Sequence, residues 1–247
     1  MAQLAAALVD RLGAATDLIT LAAALFLAAW LAERHAGDEG LDPSDVASAS
    51  TWLGVAAIVG ARLAFALPNW PTYVRHPIDL IYVQSGLWVW GGMLGALAAG
   101  IWLHYRRGLP LARLADLFAP YLALGAALYD VLCPMRGTCG GVTAPFPIGV
   151  ILPGSSQPRI PVALWEAAFM LTLYWLLVER RRRRRFPGEL GLLFIIGFSA
   201  IRAAADFLRL NIGGFPTADQ SLAILAIALA VVGWAWQARR ASPQTPI

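Results

Sequence analysis

Apolar residues along this chain gather in long unbroken runs and do not alternate with polar ones. Such runs match the roughly 17–25 residues that an α-helix needs to cross a bilayer; the strands of a membrane barrel are about 10 residues long and alternate. Seven spans are predicted, at roughly 15–32, 52–67, 80–103, 110–132, 161–178, 189–209 and 217–238. The first is short and starts at Asp17, and residues 2–14 ahead of it read as a separate amphipathic helix lying in the membrane interface. The expected fold class is therefore all-α: a polytopic membrane protein with about seven transmembrane helices, residues 1–247 forming a single membrane domain with an outer loop at 133–160.

Composition sharpens this picture. Hydrophobic residues make up 59% of the 247 positions and charged ones 14%, where soluble domains average about 45–50% and 25%. The net charge of +4 comes from arginine alone, since there is no lysine. A basic balance can signal nucleic acid, but here the arginines fall largely in short loops between spans and so report orientation. Arg106 and Arg107, the six-residue run Arg180–Arg185, and Arg239 with Arg240 share one side; the opposite loops carry only Arg75, Arg136 and Arg159. The N-terminus is expected outside and the C-terminus in the cytoplasm. The arginine run reads as a topology anchor drawn to anionic lipid, worth about 1 kcal/mol per residue near the surface. No cleavable signal is expected, because Asp10 and Arg11 interrupt the first residues and Glu33 and Arg34 follow the first apolar run.

The outer loop 133–160 combines Gly137, Gly140, Gly141, Gly154, Pro134, Pro145, Pro147 and Pro153 with apolar residues such as Phe146, Ile148, Val150, Ile151 and Leu152. Irregular backbone at membrane depth is tolerated only where protein buries it or it lines a cavity, so this loop is expected to pack at membrane level as the roof of a site. No internal repeat points to a transporter of inverted halves.

Charges inside spans cost about 2.5–3.5 kcal/mol each and need a reason. Arg62, Asp130, Glu166, Arg202, Asp206 and Arg209 are the candidates. Arg202, Asp206 and Arg209, at i, i+4 and i+7, share one face of the sixth span. They form either a self-neutralised stripe or, with two arginines against one acid, a cationic site suited to a phosphate. Glu166 is placed to pair with Arg62 or Arg202. Asp130 ends the fourth span beside the roof loop. Cys133 and Cys139 face the oxidising side, where a disulfide, two free thiols and a metal site are the alternatives. His35, His76 and His104 lie in loops or at span ends without a helical partner, and no metal or cofactor is called for.

Beside these charges stand Gly60-Ala61-Arg62-Leu63 with Asn69-Trp70, Tyr73 and Pro77; Gly86, Gly91-Gly92 and Gly95; and Phe146-Pro147-Ile148-Gly149-Val150 with Pro153-Gly154. Together, over roughly 55–225, they resemble the bacterial prolipoprotein diacylglyceryl transferases. Pro161–Glu166 is similar to the family's fifth-helix motif, and Gly191, Gly197, Arg202, Asp206-Phe207, Arg209 and Gln220 to its sixth and seventh helices. The resemblance implies transfer of a diacylglyceryl group from phosphatidylglycerol to the sulfur of a lipobox cysteine in a prolipoprotein. It implies a bacterial inner-membrane location, with Arg62, Arg202, Asp206 and Arg209 binding phospholipid. The chain departs from the pattern at Trp90, where the family has His; at Asp130 and Cys133, where it has Arg and Asn; and at Ile160 and Ala163, where it has His and Gln. Asp130 or Glu166 would then replace the missing catalytic base. The alternative is an inactive homologue that binds anionic lipid or a lipidated partner.

Overall fold

A computed structural model describes residues 2–80, 86–133, 140–152, 156–209 and 216–241; for residues 2–15, 17 and 69 it describes the backbone alone. The described helices are α1 (Ala2–Arg34), α2 (Pro43–Ala66), α3 (Trp70–Arg75), α4 (Val89–Arg107), α5 (Leu111–Val131), α6 (Val162–Arg181), α7 (Glu189–Leu208) and α8 (Ala218–Ala241). Isolated bridges are the sole β pairing among the described residues. The chain is an all-α polytopic membrane protein, and α2, α5, α6, α7 and α8 are each long and apolar enough to cross a bilayer.

Two expectations are corrected. The N-terminal residues do not form a separate interfacial helix: α1 runs unbroken through 33 residues, about 50 Å at the helical rise of 1.5 Å per residue. The third predicted span begins at Val89 and not at residue 80, because Pro77–Leu80 forms a 3-10 turn and Gly86 takes a positive φ of 129°. Trp88, with extended backbone, then precedes the helix.

The chain divides into two compact units, residues 29–114 and residues 1–28 with 115–247. In the first, α2 starts where the Asp42 carboxylate accepts a hydrogen bond from the Ser44 N–H at 2.8 Å, an N-cap. This helix packs on α4 through small residues. A Cβ placed on Gly60 would meet the Gly91 carbonyl oxygen, and one on Gly95 the Ala56 carbonyl oxygen. Backbone-to-backbone packing of this kind is how membrane helices associate where lipid removes the hydrophobic drive. Arg62 is buried, and its guanidinium donates to the carbonyls of Leu80 (2.9 Å), Gly86 (2.9 Å) and Asp79 (2.6 Å).

In the second unit, α7 packs against both α6 and α8. The N-terminus of α7 is capped from a distant element. Asp116 of α5, fully buried, accepts from the N–H groups of Gly188 (2.6 Å), Leu190 (2.8 Å) and Gly191 (3.1 Å). A carboxylate there satisfies orphan donors and the positive end of the helix dipole. Glu189, also fully buried, takes Arg180 at 2.6 Å and the backbone N–H of Arg185. Arg184 reaches Asp116 at 3.5 Å. The arginine run is thus partly an internal fixture: Arg180 and Arg184 hold buried acids, while Arg182, Arg183 and Arg185 are exposed.

Candidate functional site: a carboxylate between two arginines

Glu166 lies about one turn into α6, a helix that begins at Val162 directly after Pro161. Its carboxylate is 1% exposed and is shared by two guanidiniums of α7 and its C-cap. Arg202 Nη1 donates to Oε1 at 2.8 Å, and Arg209 Nη2 donates to Oε2. Seven residues along a helix is about two turns, so Arg202 and the C-cap Arg209 sit one above the other on the face turned to α6. Each gives one nitrogen to Glu166. Their side chains remain 26% and 35% exposed.

Asp206, between them in sequence, is buried and accepts from the Thr217 hydroxyl at 2.7 Å. Thr217 is the residue before α8 and completes a reciprocal cap: Gln220 N–H donates to Thr217 Oγ1 at 3.2 Å, and Thr217 N–H donates to Gln220 Oε1 at 3.1 Å. The end of α7 and the start of α8 are therefore tied through one threonine. Formally the two acids and two arginines cancel, but they are not evenly placed. Both carboxylates lie inside and the guanidiniums extend outward. The accessible side of the cluster is cationic, with planar donor forks suited to a phosphate.

The described part of the outer loop is tied to the end of α7 and the start of α6. Gly141 N–H donates to Ile160 O at 2.8 Å, Val142 N–H to Leu208 O at 2.9 Å, and Ile160 N–H to Val142 O at 3.1 Å. Val142, Ala144 and Leu208 pack on a small core of Ile160, Val162 and Ala205. Gly141 is required by close approach: a Cβ there would overlap the Leu208 carbonyl and the Val162 side chain. The loop is fastened to the last residue of α7, next to Arg209.

The structure thus brings together Glu166, Arg202, Asp206 and Arg209. Of the two partners expected for Glu166, it takes Arg202, and it takes Arg209 as well. Arg62 belongs to the other compact unit and holds backbone carbonyls. Asp130 is buried near the end of α5 and has interaction partners. Cys133 is disulfide-bonded; Cys139, the chain's other cysteine, lies outside the described residues. The sequence reading passed over Thr217, Asp116 and Glu189. The Thr217–Gln220 spacing of a capping box was the available signal for the first. Glu189 opens its span, where an acid reads as interfacial, and Asp116 caps a helix 72 residues away, which leaves no local signature.

Over most of its length the chain is similar to known proteins. Residues 18–236 match the family described as prolipoprotein diacylglyceryl transferase. The phosphatidylglycerol–prolipoprotein diacylglyceryl transferase of Symbiobacterium thermophilum is 32% identical over 238 residues, covering 90% of this chain and 88% of the relative. The protein of the same name from Synechococcus elongatus is 29% identical over 88% of this chain and 81% of its own length. That from Geobacillus kaustophilus is 30% identical over 87% and 85%. A match across nearly the whole chain shows that the chain belongs to the prolipoprotein diacylglyceryl transferase family.

Proposed function

We propose that this chain transfers diacylglyceryl from phosphatidylglycerol to a lipobox cysteine of a prolipoprotein, and that Arg202 and Arg209 hold the lipid phosphate. The observation that carries the reading is Glu166: one fully buried carboxylate that splays two outward-reaching guanidiniums into a fixed pair. Fixed cationic donors stabilise the charge that develops on a departing phosphate. In the reaction the cysteine sulfur bonds to the glyceryl carbon, the carbon–oxygen bond to phosphate breaks, and glycerol phosphate leaves with that electron pair.

The thiol proton needs an acceptor, because a free cysteine has a pKa of about 8.5. Glu166 or Asp130 takes it. Both oxygens of Glu166 accept from arginine, so Glu166 also positions the pair. Asp206 acts through Thr217, holding the end of α7. The protein would sit in the bacterial plasma membrane with its N-terminus outside and its C-terminus in the cytoplasm, its reacting face toward the outer leaflet.

The second reading, a lipid-binding homologue without transfer, draws on Trp90, buried in the first turn of α4; an indole donates a hydrogen bond but cannot serve as a base. Complementation separates the two. A bacterium depleted of its own transferase should grow when it carries this chain and should not grow with Arg202→Ala present in the membrane at the same level. Failure of the unsubstituted chain, correctly inserted, would overturn the transferase reading.

A further inference from the structure

The outer loop carries a second feature that the arginine cluster does not use. Its tip, Pro145–Gly149, is closed by a hydrogen bond from Gly149 N–H to Pro145 O at 3.0 Å. Gly149 is demanded by close approach, since a Cβ there would overlap the Ala144 carbonyl oxygen. Behind the tip, Val150 and Arg159 exchange two backbone hydrogen bonds at 2.9 Å, and Ala144 N–H donates to Pro158 O at 3.1 Å. The tip is therefore a braced projection. On it stand Phe146, 83% exposed, and Ile148, 54%, with Ile151, 73%, just behind it.

Large apolar side chains concentrated at the end of a braced turn need a partner. Two observations identify it as the bilayer. The loop joins α5 and α6, both long and apolar enough to span a membrane, so its ends are fixed at the membrane surface. From Gly140 to Ile160 the sequence contains no acid, and its one charged residue is Arg159; an anionic leaflet meets no repulsion there. We propose that Phe146, Ile148 and Ile151 form a wedge that inserts into the outer leaflet beside the site. Apolar faces of this type settle about 5–10 Å into the headgroup and acyl boundary. Because Val142 N–H is bonded to Leu208 O, the base of the loop that carries the wedge is tied to the residue before Arg209.

The test uses the full chain in vesicles of phosphatidylglycerol and phosphatidylcholine, with no other protein. Single cysteines are placed by Phe146→Cys, Ile148→Cys, Ile151→Cys and, as the polar control in the same loop, Gln157→Cys. They are spin-labelled without reductant, with the unsubstituted chain as background. Labels at 146, 148 and 151 should collide more with oxygen than with a water-soluble nickel complex, and the label at 157 should show the reverse. Nickel collisions dominating at both 146 and 151 would overturn the wedge. So would burial from both reagents, which would mean that protein covers the tip. The outcome is independent of catalysis: insertion with failed complementation retains the wedge and removes the transferase reading, and the converse pair does the opposite.

Discussion

Glu166 Oε1 accepts a hydrogen bond from Arg202 at 2.8 Å while its other oxygen accepts one from Arg209. One acid thus sets the spacing of two cations. Like charges two turns apart repel, and the shared carboxylate offsets that repulsion.

Glu166→Gln should therefore damage the site more than its lack of direct contact with the reacting atoms suggests. Breaking a buried ion pair costs about 3–5 kcal/mol, and the partial exposure of both arginines places this case toward the lower end. The fall should appear as a lower thermal midpoint in detergent and as a larger loss in turnover than in lipid affinity. Glu166→Asp, which keeps the charge but shortens the reach, should recover stability better than activity.

Thr217 is the joint between α7 and α8. Thr217→Val removes an N-cap, a change of about 0.5–2 kcal/mol, and withdraws the hydroxyl from buried Asp206. Thr217→Ser should behave as the unsubstituted protein. Thermal unfolding of the three proteins in one detergent checks this, and equal midpoints for Val and Ser would refute the joint.

In the α2–α4 pair, Gly95→Leu must push apart two backbones already in contact. Overpacking costs about 1–3 kcal/mol even in adaptable cores, and the obstruction here is a carbonyl, which cannot rotate away. Membrane yield and resistance to heat should both drop. Gly54→Leu on α2, where a Cβ meets nothing within 4 Å, is the tolerated control.

Asp42 supplies a pH signature outside the spans. The Ser44 hydroxyl and then the Ser44 N–H hold its carboxyl below the usual carboxylate range. A depressed folded value means that its stabilisation is present above the unfolded value and is lost as pH falls through the folded one. The protection factors of the Ser44 and Val46 amides, corrected for the intrinsic slowing of exchange in acid, should fall on acidification through that window. In Asp42→Asn that fall should vanish.

Much of this was legible in the sequence for a simple reason. Long apolar runs have one physical solution in lipid, and charges within them are few enough to name singly. Glu166, Arg202, Asp206 and Arg209 were found that way, and the i, i+4, i+7 spacing gave their shared face. What spacing could not give was pairing between helices. The resemblance implies Arg62 as a phospholipid ligand; that its donors go to loop carbonyls is something no side-chain pattern reveals. Asp116 was missed because an N-cap supplied from 72 residues away leaves no local signature. The unbroken α1 was misjudged at Asp17, where a charge was taken for a boundary that the helix passes through.

The central claim is that the Glu166-held arginine pair grips the phosphate of the lipid being cleaved. Its most direct test is the purified chain in vesicles with labelled phosphatidylglycerol and a lipobox peptide, compared with Arg202→Ala. The account predicts thioether-linked peptide from the unsubstituted chain, and a fall of about 10²–10³ on losing a charge-stabilising donor. Thioether product formed equally well by Arg202→Ala would contradict it.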